Sequence, residues 1–355
     1  MTSSPGSNAT CAPVFPASTA SSSMSSPWEE HEPLCQSGCR KRKMTTLAPK
    51  RPSAGSLASV FFAMLVFVVI PAWAWFIEPR LLLVREVKVT SPDLPAAFDG
   101  VRVAFLTDLH RGPAISEGRV REVVKKTNSL NPDLVLLGGD YTSAGPKYIA
   151  SGIAPLAGLR ARLGKFAVLG NHDHWYSAPQ TRAALVAAGI RVIDNDGEWV
   201  AAESDRGKLA TEVARTPELA AEFAPTARIR VGGVGDLWED TPDLSAALDG
   251  AQPADFVILI SHNPDYSLKL PPDGPVDLMF AGHTHGGQVT LFGLYAPVLP
   301  IEGGQRLRSG VRLQDKTTII VSRGVGLIAP HVRFFCPPEI VVVTLNRGPE
   351  FATLP

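Results

Sequence analysis

Apolar residues along this chain gather in short unbroken runs that end in glycine or a polar residue, and between some runs the spacing of apolar positions changes to that of a helix. Short runs of this kind mark strands buried on both faces, and the 3.6-residue period marks the helices that cover them. The runs predict strands over 101–107, 133–138, 166–169, 229–234, 256–260, 276–280, 318–321 and 339–345. Between the first two, Ser116 offers an N-cap, Glu117 suits the first turn, and Val120, Val123, Val124 and Leu130 recur at helical spacing until Asn131-Pro132 stops them. Ser177-Ala178-Pro179-Gln180 opens another helix with a capping-box arrangement, and Gly189 closes it. From about residue 99 onward the pattern is that of an α/β domain.

Upstream the pattern differs. Residues 1–55 are rich in Ser, Thr, Ala and Pro with no sustained apolar period, a composition that cannot repay the entropy of folding and predicts a disordered tail. The tail carries Arg40-Lys41-Arg42-Lys43 and then Lys50-Arg51, after which 53–77 holds no charge. Its 57–77 portion has the length of the roughly 20 residues that span a bilayer, with Trp73 and Trp75 at the far end where indoles favour the headgroup layer. The division is therefore a tail at 1–55, a transmembrane helix at 56–78, a linker with a leading strand at 79–98, and the main domain at 99–348. An Ala/Glu/Arg-rich stretch at 202–227 interrupts that domain as a helical surface insertion. Basic residues before the span place the N-terminus in the cytoplasm and the large domain outside. Two alternatives stand beside this. Ala72-Trp73-Ala74 resembles a signal-peptide cleavage site, and the basic cluster has the composition of a nuclear or nucleic-acid patch.

Composition narrows the picture little further. An apolar fraction of 45% over 355 residues allows a large core, and 34 basic against 34 acidic residues give no nucleic-acid signature. Cys11, Cys35 and Cys39 lie in the tail, so Cys336 alone follows the span and no disulfide can form within the domain. Cys35 and Cys39, with only His31 nearby, lack a full metal-ligand set.

The candidate chemistry sits just beyond the apolar runs. Asp108-Leu109-His110 follows the first, Gly138-Gly139-Asp140 the second, Gly170-Asn171-His172-Asp173 the third, Ser261-His262-Asn263 a later one, and Gly282-His283-Thr284-His285-Gly286-Gly287-Gln288 the next. In open sheets, ligand sites lie at the carboxyl ends of strands. Each cluster alone has a structural explanation, as a cap, an Asx-turn or a tight turn. Five together, each after an apolar run, point instead to metal ligation.

As a set these motifs resemble the calcineurin-like metallophosphoesterases, over most of 99–345. The resemblance implies two mixed β-sheets packed as a sandwich flanked by helices, preceded by the transmembrane helix already read from the apolar span. It implies a two-metal centre in which Asp108, His110 and His285 hold one ion, Asn171, His262 and His283 the other, and Asp140 bridges both. His172 would act as an acid or a clamp on phosphate, with Asp173 orienting it. Many members carry a further Asp or Asn shortly after the Gly-Asp, whereas here Tyr141-Thr142-Ser143 follows Asp140.

Two such ions neutralise phosphoryl oxygens and activate water as hydroxide. Mixed imidazole, carboxylate and amide ligands suit Mn, Fe or Zn better than Mg or Ca. Arg111, beside His110, is a candidate phosphate ligand that reads equally as a surface arginine.

The span, the Asp-Leu-His followed by Gly112, and His283-Thr284-His285-Gly286-Gly287-Gln288 together resemble membrane-associated bacterial phosphodiesterases, as do Ser322-Arg323-Gly324-Val325-Gly326 and Pro337-Pro338-Glu339-Ile340. The expected function is hydrolysis of a phosphodiester or phosphomonoester, on a lipid or envelope substrate. A UDP-2,3-diacylglucosamine-type pyrophosphatase of lipid A synthesis is one alternative. A non-catalytic binding module on the same fold is another, although every ligand position is filled.

Overall fold

The apolar runs fold as strands. The computed structural model describes residues 54–202, 227–349 and 352–354. The tail with its cysteines and basic cluster, and nearly all of the 202–227 insertion, lie outside the described residues.

In chain order the strands are β1 (Leu83–Ser91), β2 (Arg102–Leu106), β3 (Leu134–Leu137), β4 (Gly164–Ala167), β5 (Arg191–Val192), β6 (Asp196–Ala201), β7 (Arg228–Gly233), β8 (Val257–Ile260), β9 (Leu278–Ala281), β10 (Gly310–Gln314), β11 (Thr317–Val321), β12 (Glu339–Arg347) and β13 (Ala352–Leu354). They form two mixed sheets, a seven-stranded one ordered β13-β1-β12-β2-β3-β4-β5 and a six-stranded one ordered β10-β11-β9-β8-β7-β6. The strands between β2 and β5 are parallel, as are those from β7 through β8 and β9 to β11.

Period-two alternation sorts the side chains into layers. Val103 and Phe105 of β2 face inward with Leu134 and Leu136 of β3, and meet Ile258, Ile260, Leu278 and Phe280 of the other sheet. The rings of Phe105 and Phe280 stand 5.0 Å apart at the centre of this core. Burying each such ring is worth about 1.5–3 kcal/mol. The alternate residues, Ala104 and Leu106 with Val135 and Leu137, face out and are covered by helices.

One covering helix arises where the sequence predicts it after Ser116, and another overlaps the one predicted from Ser177. After the membrane helix α1 (Gly55–Arg80), α2 (Glu117–Ser129) is capped by Ser116, which accepts the Arg119 N–H, and it buries Val120, Val123 and Val124. Next come α3 (Ile149–Ile153) and α4 (Asn171–Ala187). Ser177 interrupts α4 with non-helical backbone and accepts the Gln180 N–H, so the predicted cap lies in the middle of the element. A first turn carrying the Asn171-His172-Asp173 motif precedes it.

The apolar-run pattern marked none of the edge strands β5, β6, β10 and β13. β5 is two residues long, and β6 and β10 are largely half-buried or exposed, so neither carries an unbroken apolar run. The undescribed insertion leaves from the end of the β6–β7 pair, where Ala201 lies opposite Arg228.

Helix α1, 26 residues long, is apolar enough to cross a membrane, and Phe61, Phe62, Phe67 and Val68 on it are exposed. Its last turns are fastened to the domain. Glu78 Oε1 accepts the Cys336 N–H at 2.5 Å, Glu78 Oε2 accepts Trp73 Nε1–H at 3.1 Å, and the Ala74 carbonyl accepts the Arg333 N–H at 3.0 Å. Cys336 is a free, buried thiol.

Candidate metal centre

Adjacent parallel strands end side by side, so the loops after β2, β3 and β4 in one sheet and after β8 and β9 in the other open onto one place. The loops are knitted together there. The Asp108 N–H donates to the Gly139 carbonyl (3.0 Å), the His110 N–H to the Asp140 carbonyl (2.9 Å), and the Gly282 N–H to the His262 carbonyl (2.9 Å).

The backbone is strained where it delivers these side chains. Asp108, His110, Asp140, His283 and His285 all have positive φ, at 56°, 47°, 57°, 66° and 50°. Left-handed backbone costs a non-glycine residue about 1–3 kcal/mol, and such costs collect at functional sites. Two glycines supply clearance. A Cβ on Gly170 would strike Asp140 Oδ1 and come within 2.7 Å of the His262 ring, and one on Gly282 would strike Asp108 Oδ2.

Ligand-type atoms converge in two groups. In one, His110 Nε2 stands 2.9 Å from His285 Nε2, and Asp108 Oδ1 lies 3.9 and 3.5 Å from them. In the other, Asn171 Oδ1 is 3.2 Å from His262 Nε2 and 3.0 Å from His283 Nδ1, and those two nitrogens are 3.2 Å apart. Asp140 Oδ2 lies between the groups, 3.4 Å from His110 Nε2 and 3.3 Å from His262 Nε2. The structure thus brings together all seven residues that the sequence singled out as ligands.

The electrostatics fit a divalent cation. Burial pushes the His110 and His283 imidazoles down to about 3 and His285 well below its ordinary value, so all three are neutral. Burial opposes charge on Asp140 too, but the surrounding His262, His110 and His172 hold its carboxyl well below the usual range. Neutral imidazole and ionised carboxylate are the forms in which these groups bind metals. Asp108, pushed up to about 7 by burial, receives the His283 N–H at 3.1 Å and the Thr107 hydroxyl at 2.9 Å. His262 Nδ1 lies 2.7 Å from the Gly138 carbonyl, a contact that places a proton on Nδ1 and turns Nε2 toward the group. Burial alone would depress His262, but Asp140 beside it raises it well above its ordinary value. A cation would replace that proton.

The other candidate residues have different surroundings. His172 is half-buried at the edge of the centre, its ring 4.7 Å from that of His110, and its N–H donates to Asp140 Oδ1 at 2.9 Å. His172 Nδ1 is buried with no hydrogen-bond partner among the described residues. Asp173, expected to orient His172, makes its hydrogen bonds to backbone groups. Its carboxylate accepts the backbone N–H groups of Asp140 (2.7 Å), Tyr141 (3.0 Å) and Gly170 (3.0 Å), leaving it committed to the loops that carry Asp140. Arg111, the candidate phosphate ligand, has its guanidinium engaged by neighbouring groups. Its Nη1 donates to the carbonyls of Gly112 (2.5 Å) and Ile115 (3.0 Å), and its guanidinium lies 4.9 Å from the Tyr148 ring centre.

Sequence reasoning passed over three further residues. Trp238 stands edge-on to His283 at 4.4 Å, and Trp175 lies 4.5 Å from His172, so two exposed indoles flank the centre. Trp175 Nε1–H donates to Glu239 Oε1 at 2.6 Å, which ties one wall to the loop bearing the other. Arg333 is fully buried, and donates to the carbonyls of Cys336 (2.9 Å), Arg323 (2.8 Å) and Gly326 (2.8 Å) behind His285. Only tertiary proximity identifies these residues, and no local spacing signals them.

Comparison with known proteins agrees with this geometry. Residues 101–287 match the family model for calcineurin-like phosphoesterases. The uncharacterized metallophosphoesterase YkuE of Bacillus subtilis is 29% identical over 277 residues, covering 77% of this chain and 89% of that one. A Danio rerio transmembrane protein with a metallophosphoesterase domain is 26% identical, covering 88% of this chain and 69% of its own length. The UDP-2,3-diacylglucosamine pyrophosphatase LpxG of Chlamydia muridarum is 27% identical, covering 81% and 97%.

Proposed function

Because the chain belongs to the calcineurin-like phosphoesterase family, hydrolases of phosphoric ester bonds, we propose that it holds two divalent cations and cleaves a phosphoester at a bilayer surface. Asp108, His110 and His285 would hold one cation, and Asn171, His262 and His283 the other. The observation that carries this reading is Asp140 Oδ2, which stands 3.4 Å from a nitrogen of one group and 3.3 Å from a nitrogen of the other. A lone structural carboxylate has no reason to be shared in this way. Mn, Fe or Zn suits the mixed nitrogen and oxygen donors.

Bound divalent cations would neutralise phosphoryl oxygens and acidify water. The chain's own side chains do the rest. Asp140 sets the spacing of the two groups, and the Asp173 carboxylate fixes Asp140. His172, held beside Asp140 by its own backbone N–H, is placed to protonate the leaving oxygen. Trp175 and Trp238 flank the centre beside His172 and His283.

The test uses the full chain in detergent, because a truncation at Arg80 would remove the Glu78 carboxylate that accepts the Cys336 N–H. After chelation, bis- and mono-nitrophenyl phosphate are offered with Mn, Zn or Mg added back. Hydrolysis should vanish with the chelator, return with metal, and be lost in Asp140→Ala. Activity indifferent to both Asp140→Ala and His172→Ala would overturn the assignment.

The chlamydial relative's name motivates a second reading, cleavage of the pyrophosphate of UDP-2,3-diacylglucosamine. Release of UMP from that compound by the wild-type chain but not by Asp140→Ala would support it. The basic residues ahead of the span favour an outward-facing domain, away from nucleotide-activated precursors. Removal of the domain by protease added outside intact cells would decide the orientation. A non-catalytic module is disfavoured, since every ligand position is filled and His172 is in place.

A further inference from the structure

Among the described residues, the most exposed apolar cluster outside α1 is a short hairpin that leaves the candidate metal-ligand loop. Phe292, Leu294 and Val298 are 77%, 81% and 76% exposed, with Leu291 and Tyr295 beside them. Scattered exposed apolar residues are ordinary, but a contiguous patch on one projecting turn marks an interaction surface. The turn's backbone makes the choice of residue more telling. The Leu294 N–H donates to the Leu291 carbonyl at 2.9 Å, and the two central residues, Phe292 and Gly293, have φ of 53° and 75°. Such a mirror-image turn favours Asn-Gly, and a bulky residue at its first central position is an outlier. A phenylalanine there is held against local preference, with its ring toward solvent.

What lies beside the hairpin identifies its occupant. The Phe292 ring is 5.4 Å from that of Phe335, and the Thr290 N–H donates to the Phe334 carbonyl at 2.9 Å. Phe334 and Phe335 sit between Arg333, whose N–H bonds Ala74, and Cys336, whose N–H bonds Glu78. Those partners lie on the last turns of the membrane helix, which also carry the exposed Trp73 and Trp75. Since one residue advances the chain at most about 3.6 Å, the hairpin tip cannot lie far from the last turns of α1. Apolar side chains at that level are buried about 5–10 Å into the headgroup boundary by interfacial elements.

We propose that the hairpin at 289–298 is a second membrane contact, inserted in the same leaflet as the end of α1. Its other end is the metal-ligand loop itself, so the contact holds the centre against the lipid surface. Resting on the hydrolase reading above, the substrate class follows as an amphiphile whose phosphoester is presented at the headgroup layer by an acyl or isoprenoid anchor left in the bilayer.

The experiment uses the full chain in phosphatidylcholine/phosphatidylglycerol vesicles, with Cys11, Cys35 and Cys39 changed to Ser and buried Cys336 kept. An environment-sensitive fluorophore is attached to Phe292→Cys or, as control, to Val186→Cys. Val186 is exposed on α4, at the opposite edge of the seven-stranded sheet from β1. The Phe292→Cys label should shift to the blue and be quenched by spin-labelled lipids, with neither change at Val186→Cys. Equal behaviour at the two positions would overturn the membrane contact.

A second arm reads the substrate class. Phe292→Ser with Leu294→Ser should lower hydrolysis of a vesicle-embedded nitrophenyl phosphodiester of a diacylglycerol about tenfold, and leave water-soluble bis-nitrophenyl phosphate unaffected. Parallel loss on both, or loss on neither, would overturn the lipid-borne substrate. The label reports on the hairpin even if the chain hydrolyses neither ester, which separates failure of this inference from failure of the hydrolase reading.

Discussion

The Asp173 carboxylate accepts the backbone N–H of Asp140 at 2.7 Å while also receiving those of Tyr141 and Gly170. Three buried donors converge on one side chain, so the carboxylate that lies between the two ligand groups is positioned by a second carboxylate that touches neither. An unsatisfied buried donor costs about 1–3 kcal/mol. Asp173→Ala should therefore lower the melting temperature and, by loosening Asp140, let metal be lost on dialysis. The pH profile of the remaining activity should be unchanged. A shifted profile with full metal content would instead restore Asp173 to the role of orienting His172.

His172 touches the centre from one side, its ring 4.7 Å from that of His110, and its Nδ1 is buried with no hydrogen-bond partner among the described residues. Burial lowers its pKa despite the nearby Asp140 charge, so the protonated form that a general acid needs is the minor one near neutral pH. As a general acid it would contribute roughly 10²–10⁴ in rate. His172→Ala should cost that factor with an alkyl leaving group, which needs a proton, and much less with nitrophenolate, which departs without one. Equal losses on both would assign His172 to binding phosphate rather than to proton transfer.

The inner strands and the seven candidate ligand residues are legible in the sequence because both signals are local. A parallel strand buried on both faces must be an unbroken apolar run, as Leu134 to Leu137 is, and its ligand follows within a few residues. Edge strands such as β10, half exposed, lack that signal. Residues that act across long separations are equally invisible. Glu78 meets Cys336, Trp238 meets His283, and Arg333 fills the space behind His285, none of them at a spacing a reader could recognise. Asp173 shows the converse. Its place next to His172 suggests a partnership, whereas its carboxylate accepts the backbone N–H groups of Asp140, Tyr141 and Gly170.

Two glycines among the ligand motifs carry a prediction of their own. Neither Gly170 nor Gly282 is needed for a left-handed backbone, since neither has positive φ; each is needed for clearance. A methyl on Gly170 would displace Asp140 or His262, and one on Gly282 would displace Asp108. Gly170→Ala and Gly282→Ala should each yield folded protein with an intact far-ultraviolet dichroism spectrum and at least tenfold weaker metal retention. Unchanged metal content in both would mean that the ligands can shift without loss.

Away from the centre, Asp277 gives a prediction about stability and pH. Burial pushes its carboxyl up to about 7, against the opposing pull of the Val257 N–H it accepts at 2.7 Å and of the Lys316 ammonium 4.0 Å away. Its unfolded value is about 3.9. Between these values the native state binds more protons than the unfolded chain, so this group lowers stability progressively as pH rises from about 4 to about 7, with no further change above. Asn at this position keeps an oxygen for the Val257 N–H and has no charge to gain. In Asp277→Asn the denaturation midpoint, relative to wild type, should therefore rise from pH 5 to pH 8. A difference that stays constant over that interval would show that Asp277 is already ionised in the folded protein at pH 5.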